Sequence, residues 1–506
     1  MSEPGTVMSA KASNANSVSP KTTTGFNLGL IIAVVALIFI VALPNPDGLP
    51  VAGQRMLAVF VFAVIVWITE ALDYAVSALV IAALIAVLLG LSPDVAKPDV
   101  LMGTSRGLSV AMSGFSNSAL TLVAAALFLA AAMTVTGLDR RIALQVLSRV
   151  GTKTSHVVIG GIVVSTLLAF LVPSATARAA AVIPIMMGII LAFGADRKSR
   201  FAGLLIITTV QAVSVWNVGI KTAAAQNMVA VGFLQRQLGT DVTWIDWFIA
   251  AAPFSLVLSV GLYYIMMLMM SPEREDLAGG TEAITNELQS IGPMSRDEKR
   301  LLAVSLILLA LWATEGVLHR FDSSTLTVVA VAVLFLPGIG VMDWKRANPR
   351  IPWGTIVLFG VGISLGTALL QTQAAQWLAG IAVTWLGLSH LSPLAILATF
   401  GAFLIVIHLG FASATALASA MIPIIIAVLQ QVQTPGINVV GMTILLQFVV
   451  SFGFILPVNS PQGMVAYGTD TFDVRDFVRT GLVLTLLAYV LTLIFGATYW
   501  RWLGYS

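Results

Sequence analysis

Two matched pairs of hydroxyls carry the first chemistry visible in this chain. Ser174 and Thr176 sit in the segment SATARAAAVIPI (residues 174–185), and Ser413 and Thr415 sit in SATALASAMIPI (residues 413–424), 239 positions later. Hydroxyls beside helix N-termini suit a carboxylate, because the helix end adds amide donors and partial positive charge. Small hydroxyl residues also let helices approach closely, so residue type alone leaves both uses open. Two cations sharpen the question. Arg178 and Lys221 lie in apolar stretches without Asp or Glu, where an ionisable group is costly and marks a pathway or a partner. Their counterparts beside the second segment are Leu417 and Pro457. Two cations on one side suit a dianionic ligand; bonding of Arg178 to nearby carbonyls, and snorkelling of Lys221 or its pairing with Glu70 or Glu315, are the structural alternatives.

These residues need a frame, and composition says which solvent it meets. The 506-residue chain is 58% hydrophobic and 10% charged, against about 25% charged in soluble domains. Apolar spans of roughly 20 residues, enough to cross about 30 Å of hydrocarbon, follow one another from residue 28 to residue 500. The expected fold class is an all-α polytopic membrane protein, with about eleven transmembrane helices plus two re-entrant helical hairpins. The lack of cysteine excludes a disulfide framework, a thiolate metal site and a thiol nucleophile. No basic run interleaved with aromatics points to nucleic acid. Residues 1–25 read as a disordered polar tail and residues 271–300 as a polar cytoplasmic linker between two halves, 26–270 and 301–506.

The halves match in order. WITE at 67–70 answers WATE at 312–315, and QNMVAVG at 226–232 answers QGMVAYG at 462–468, with Gln211 and Gln447 fifteen positions ahead. Arg140, Arg141, Arg149, Lys153, Arg197, Lys198 and Arg200 flank the first hydroxyl segment, whereas residues 351–474 contain no Lys or Arg. The positive-inside rule then puts the two segments on opposite faces, as in inverted repeats with a cytoplasmic N-terminus. Each segment becomes the tip of a re-entrant hairpin or the end of two paired crossings, with Pro173 favouring the hairpin turn. The stretches 216–227 and 452–463 are broken by Gly, Pro and small polar residues, and helices broken at matching positions mark transporter binding sites. Two tips and two breaks are expected to meet in one site.

At these residues the chain resembles the divalent anion/sodium symporter family of di- and tricarboxylate transporters, over roughly residues 26–500. WITE, GLDRRIAL at 137–144, both tips followed by Pro-Ile, and the paired breaks carry the likeness. PSATAR (173–178) and FASATALASA (411–420) look most like the bacterial branch of citrate and tartrate antiporters. The resemblance implies a secondary transporter and no enzyme, moving C4 or C5 dicarboxylates such as succinate, malate or 2-oxoglutarate as exchanger or sodium symporter. Tricarboxylate, sulfonate or sulfate is the alternative cargo. It also implies a homodimer in the bacterial inner membrane, with a scaffold domain and an elevator-like transport domain embedded in lipid.

By position, the tips place Ser174, Ala175, Thr176, Ser413, Ala414 and Thr415 at the substrate. Arg178, Lys221, Thr222 and Asn459 join them from the reading of the cations and breaks. The family's sodium sites map near Ser174, Gly219, Asn227, Thr415 and Ser460, sodium being the one cofactor expected. The family's usual tip is Ser-Asn-Thr, however, and both asparagines are alanine here, Ala175 and Ala414. Oxygen ligands that a hard cation prefers are thereby lost. The Lys221 ammonium is expected to stand in for the ion, giving exchange without a sodium gradient. Among the rest, Asp139 with Arg140 and Arg141 reads as a local ion pair, and Gly360, Gly362 and Gly366 read as packing glycines. His408 and Gln462 are polar groups in or near the second tip and break, and Ser174 with His156, at opposite ends of a hairpin arm, makes no hydrolase.

Overall fold

The computed structural model describes residues 27–151, 153–273, 280–385, 387–432 and 434–506, which are helical with no strand among them. The expected tail at 1–25 and residues 274–279 of the linker lie outside the described residues. An opening helix, α1 (Leu28–Ala42), is clamped to α2 (Val51–Thr69) by the Gln54 amide, which donates to the carbonyls of Ile40 and Leu43.

Two series of elements then follow in the same order. The first continues through α3 (Tyr74–Leu84), α4 (Thr104–Met112), α5 (Ser118–Thr136) and α6 (Leu138–Leu147) to the hairpin arms α7 (Thr154–Leu171) and α8 (Ala175–Ala192). It ends with α9 (Arg200–Gly219), α10 (Ala225–Leu238) and α11 (Trp244–Met269). After α12 (Gly280–Ser290), the second opens with α13 (Arg296–Ala313), α14 (Ser323–Phe335), α15 (Trp344–Ala347), α16 (Trp353–Gln371) and α17 (Ala374–Trp385). Hairpin arms α18 (Pro393–His408) and α19 (Ala414–Gln431) lead to α20 (Val439–Val450), α21 (Pro461–Tyr467), α22 (Val474–Ala497) and α23 (Tyr499–Trp502). The two WxTE tryptophans do the same job in each series. A buried indole needs a partner for its N–H, and Trp67 donates to Ser77 on α3 at 3.1 Å as Trp312 donates to Thr327 on α14 at 3.2 Å.

Nine described helices are long and apolar enough to cross a membrane, and α7, α8 and α19 among them are hairpin arms. Helix α9 is the centre, buried along its length from Phe201 to Gly219, its Gln211, Ser214 and Asn217 included. Elsewhere small residues bring helices close. A Cβ at Gly362 would fall 2.3 Å from Ser419 Oγ, and one at Gly366 would fall within 2.5 Å of the Phe233 ring, so α16 lies directly on α19 and α10.

The ion pair expected around Asp139 is built differently. Arg141 pairs with Glu298 at 2.5 Å and donates to the Gly292 carbonyl, while Arg140 pairs with Glu287 at 2.6 Å. Asp139 instead accepts from the Arg140 amide. Both arginines therefore fasten the linker helix α12 and the start of α13 onto α6, a long-range join that chain proximity could not reveal. Burial alone would raise the Glu298 carboxyl, but hydrogen bonds from Arg141 and Ser295 outweigh it and hold its pKa below the ordinary value.

Candidate functional site

Both tips are made by the same local rule. Helix α7 stops at Leu171 because Pro173 has no amide hydrogen and restricts the residue before it. Ser174 then turns to an extended backbone, and its Oγ accepts from Ala177 N at 3.3 Å, capping α8. Ser413 caps α19 identically, accepting from Ala416 N at 3.3 Å. Inside the following helices Pro184 and Pro423 stand at matching positions. Pro184 frees the Ala180 carbonyl from its helical bond, and Ala180 lies in the wall described below.

Each break is stabilised by one asparagine. Asn227 Nδ2 donates to the carbonyls of Asn217 at 2.7 Å, Ile220 at 3.2 Å and Lys221 at 3.4 Å, three groups stranded where α9 ends. Asn459 Nδ2 donates to the carbonyls of His408 and Phe411, both at 2.9 Å, tying the second break to the second tip. Buried backbone groups need such partners in a medium without water. The breaks also reach across to one another. Gln462 Nε2 donates to Ser214 Oγ at 3.2 Å and Gln226 Nε2 to Ser451 Oγ at 3.5 Å, a reciprocal pair between the two series. Gln211 Nε2 donates to the Phe454 carbonyl at 2.8 Å.

A cavity of about 550 Å³ opens where these four parts meet, within the usual range for ligand sites of roughly 300–1,000 Å³. Its walls include Ser174, Ala175 and Thr176 from the first tip, Ser413, Ala414 and Thr415 from the second, and Asn217, Thr222 and Gln226 from the first break. Ser460, Pro461 and Gln462 come from the second break, and α5 and α16 close the other side. No Asp or Glu lines it among the described residues.

The remaining expected residues stand outside the lining. Arg178 is fully buried behind the first tip, where Nη2 donates to Asn217 Oδ1 and, at 3.1 Å, to the Ala223 carbonyl. Lys221 turns away from the tips, its Nζ donating to the Val242 carbonyl at 2.5 Å, so the pairing with Glu70 or Glu315 does not form and the ammonium does not replace an ion at the tip. Glu315 is engaged by Ser323. Asn459 and Asn227 are spent on backbone carbonyls, and Gly219 packs against Trp216 and Ser255. The imidazole of His408 is buried at the end of α18 and outside the lining. Of the residues mapped to sodium, Ser174, Thr415 and Ser460 reach the cavity.

Sequence reasoning passed over Arg350, the one charged side chain in the lining among the described residues, along with Tyr74, Thr134 and Thr355. Arg350 was hidden because it stands in a polar loop, where cations are ordinary. The signal that could have exposed it is its place three residues before α16, the glycine-rich helix lying on the second tip's arm.

Opposed hairpin tips and broken helices around one cavity, inside a multi-pass helical membrane protein, define a transporter rather than an enzyme. The chain belongs to the family described as the sodium:sulfate symporter transmembrane region, whose model matches residues 26–506. It is 56% identical over 488 residues to a membrane protein of Cupriavidus necator, covering 96% of this chain and 94% of that one. It is 28% identical over 476 residues to the L-tartrate/succinate antiporter of Escherichia coli K12, covering 92% and 95%. The crystal structure of the YdaH transporter of Alcanivorax borkumensis shares the fold, with a TM-score of 0.53 at 15% identity over 84% of this chain and 97% of that one.

Proposed function

We propose that the protein exchanges small organic dianions, C4 or C5 dicarboxylates, across the bacterial inner membrane, as an elevator-type homodimer with its N-terminus in the cytoplasm. One observation carries the reading: the cavity gathers hydroxyls from both tips and amides from both breaks, and among the described residues presents no carboxylate to repel an anion. Hydroxyl and amide donors with a nearby cation are what a dicarboxylate needs once it leaves water. The curated relative that exchanges tartrate for succinate supports the same class of cargo.

The cation is Arg178. It joins the first tip's helix to the first break by two oxygens, Asn217 Oδ1 and the Ala223 carbonyl, the kind of ligand a sodium ion would take. An arginine stays charged, so it supplies there the positive charge that these two oxygens would otherwise draw from solution. The counterpart at the second tip is Leu417. Transport of a dianion then proceeds by exchange, without a sodium gradient.

Counterflow into proteoliposomes, with succinate, malate, 2-oxoglutarate, citrate, tartrate and sulfate offered in turn with and without sodium, tests the proposal. Saturable exchange of dicarboxylates at equal rates in sodium and potassium is the expected result. Sulfate uptake that needs sodium, without dicarboxylate exchange, would replace this reading with sodium-coupled inorganic anion symport.

A further inference from the structure

The cavity is not uniform along its length. Besides the tips and breaks, its lining includes Thr134 near the close of α5, Tyr74 at the start of α3, and Arg350, Pro352, Gly354 and Thr355 at the start of α16, of which Thr134, Arg350 and Pro352 are exposed. Those exposed residues mark an opening at the end of the molecule where α6 follows α5, α6 being the helix whose Arg140 holds α12 and whose Arg141 holds the start of α13. Arg350 stands at that mouth, exposed, in a short 3₁₀ turn, Asn348–Arg350.

The turn is fixed from several sides. Arg346 Nη2 donates to the Val135 carbonyl at the end of α5, and the Trp353 indole donates to Asn348 Oδ1 at 3.0 Å. The rings of Trp344 and Trp353 pack on Phe128 of α5, with centroids 5.8 and 6.1 Å away. Arg350 gives one guanidinium nitrogen to the Arg346 carbonyl at 2.6 Å. Among the described residues no hydrogen bond or ion pair is recorded for its other nitrogens. Guanidinium with its planar set of donors is the side chain best shaped for a carboxylate. Thr355 and Thr134 add hydroxyls to the same wall, and Glu70, exposed and outside the lining, interacts with the Tyr74 side chain.

The two series differ at this point. Three residues before α5, where Arg350 stands before α16, the chain has Phe115, whose ring packs on Gly360. One face of the transporter is thus given a cation at its mouth, and the matching position of the other is given an apolar ring.

Resting on the reading of the cavity as an anion site, we infer that Arg350, with the Thr355 and Thr134 hydroxyls, is a second anion subsite at the mouth. It captures a carboxylate from one face of the membrane before the tips engage it, and it makes the affinity for dianions unequal on the two faces.

The chain has no native cysteine, so Thr134→Cys places a single thiol in the outer part of the cavity. Its modification by an anionic sulfonate-bearing methanethiosulfonate and by a cationic trimethylammonium analogue reports the local potential without requiring transport. Arg350 is expected to favour the anionic reagent, and Arg350→Gln to lower the anionic-to-cationic rate ratio about five- to tenfold, an effect that shrinks in 1 M salt. Arg350→Lys keeps the preference, and succinate protects the thiol in the Arg350 background far better than in Arg350→Gln. Counterflow of the otherwise unmodified protein, run beside it, separates the two readings. Succinate exchange with a rate ratio indifferent to Arg350 overturns the subsite alone, whereas failure of every organic anion to exchange overturns the cavity's assignment.

Discussion

Replacing Arg178 by methionine separates a charge acting through space from a mere brace. The guanidinium is fully buried and its Nε and Nη1 find no partner among the described residues, so the protein carries the cost of desolvating it. Removing it strands Asn217 Oδ1 and the Ala223 carbonyl, at about 1–3 kcal/mol each, and relieves a buried charge of several kcal/mol. The two terms nearly cancel, and unfolding free energy should move by less than about 2 kcal/mol. Binding should change far more. Arg178 is one side chain, Asn217, away from the cavity. At ~10 Å and an effective dielectric of ~20 the charge attracts each carboxylate by about 1.7 kcal/mol. A dianion loses about 3.3 kcal/mol, roughly 200- to 300-fold in affinity, and a monoanion loses roughly 15-fold. Binding of labelled succinate to the purified transporter, competed by a dianion and by its monomethyl ester, reads both numbers. If Arg178→Met unfolds several kcal/mol more easily yet binds succinate as tightly as the native protein, the charge account is wrong and Arg178 is only a brace.

Other consequences follow from the packing and the polar joins. Gly366→Ala should lower the thermal midpoint and slow exchange, by about 1–3 kcal/mol of overpacking, because its Cβ would meet the Phe233 ring and Pro423; a variant with native exchange would mean α16 is not tightly apposed there. Asn227→Ala strands three carbonyls and should cost about 2–4 kcal/mol, read as detergent-solubilised thermal stability, and Asn459→Ala should behave alike. Glu298 has a folded pKa below its ordinary value of 4.5, so its contribution is complete above that value and is lost as pH falls through the folded one. The stability difference between native protein and Glu298→Gln, about 3 kcal/mol at neutral pH, should therefore narrow only in acid below about pH 4.5.

The tips and breaks were legible in the sequence because small polar residues inside apolar runs have few uses, and because they occur twice in the same order. Caps at Ser174 and Ser413 follow directly from such spacing. What the sequence left undecided was direction. Lys221 and Thr222 are adjacent, yet one turns to the Val242 carbonyl and the other faces the cavity, since a 3₁₀ turn sends neighbours to different sides. Arg178 sits four positions after Ser174, one helical turn behind the tip, so its side chain reaches the break and not the ligand space. The partners of Arg140 and Arg141 lie about 150 residues downstream, beyond any local pattern. Arg350 was obscured for the opposite reason, being a cation in a loop where cations are common.

The central claim is that both tips hold one anion in the shared cavity. Its most direct test is the equilibrium binding of labelled succinate to purified, monodisperse protein carrying Ser174→Ala, Ser413→Ala or Ser305→Ala. Ser305 is buried in α13 and lines no part of the cavity. Either tip variant should weaken binding about tenfold or more, as loss of a hydrogen bond to a charged group does, with Ser305→Ala unchanged. Native affinity in both tip variants, or an equal loss in all three, would contradict the claim.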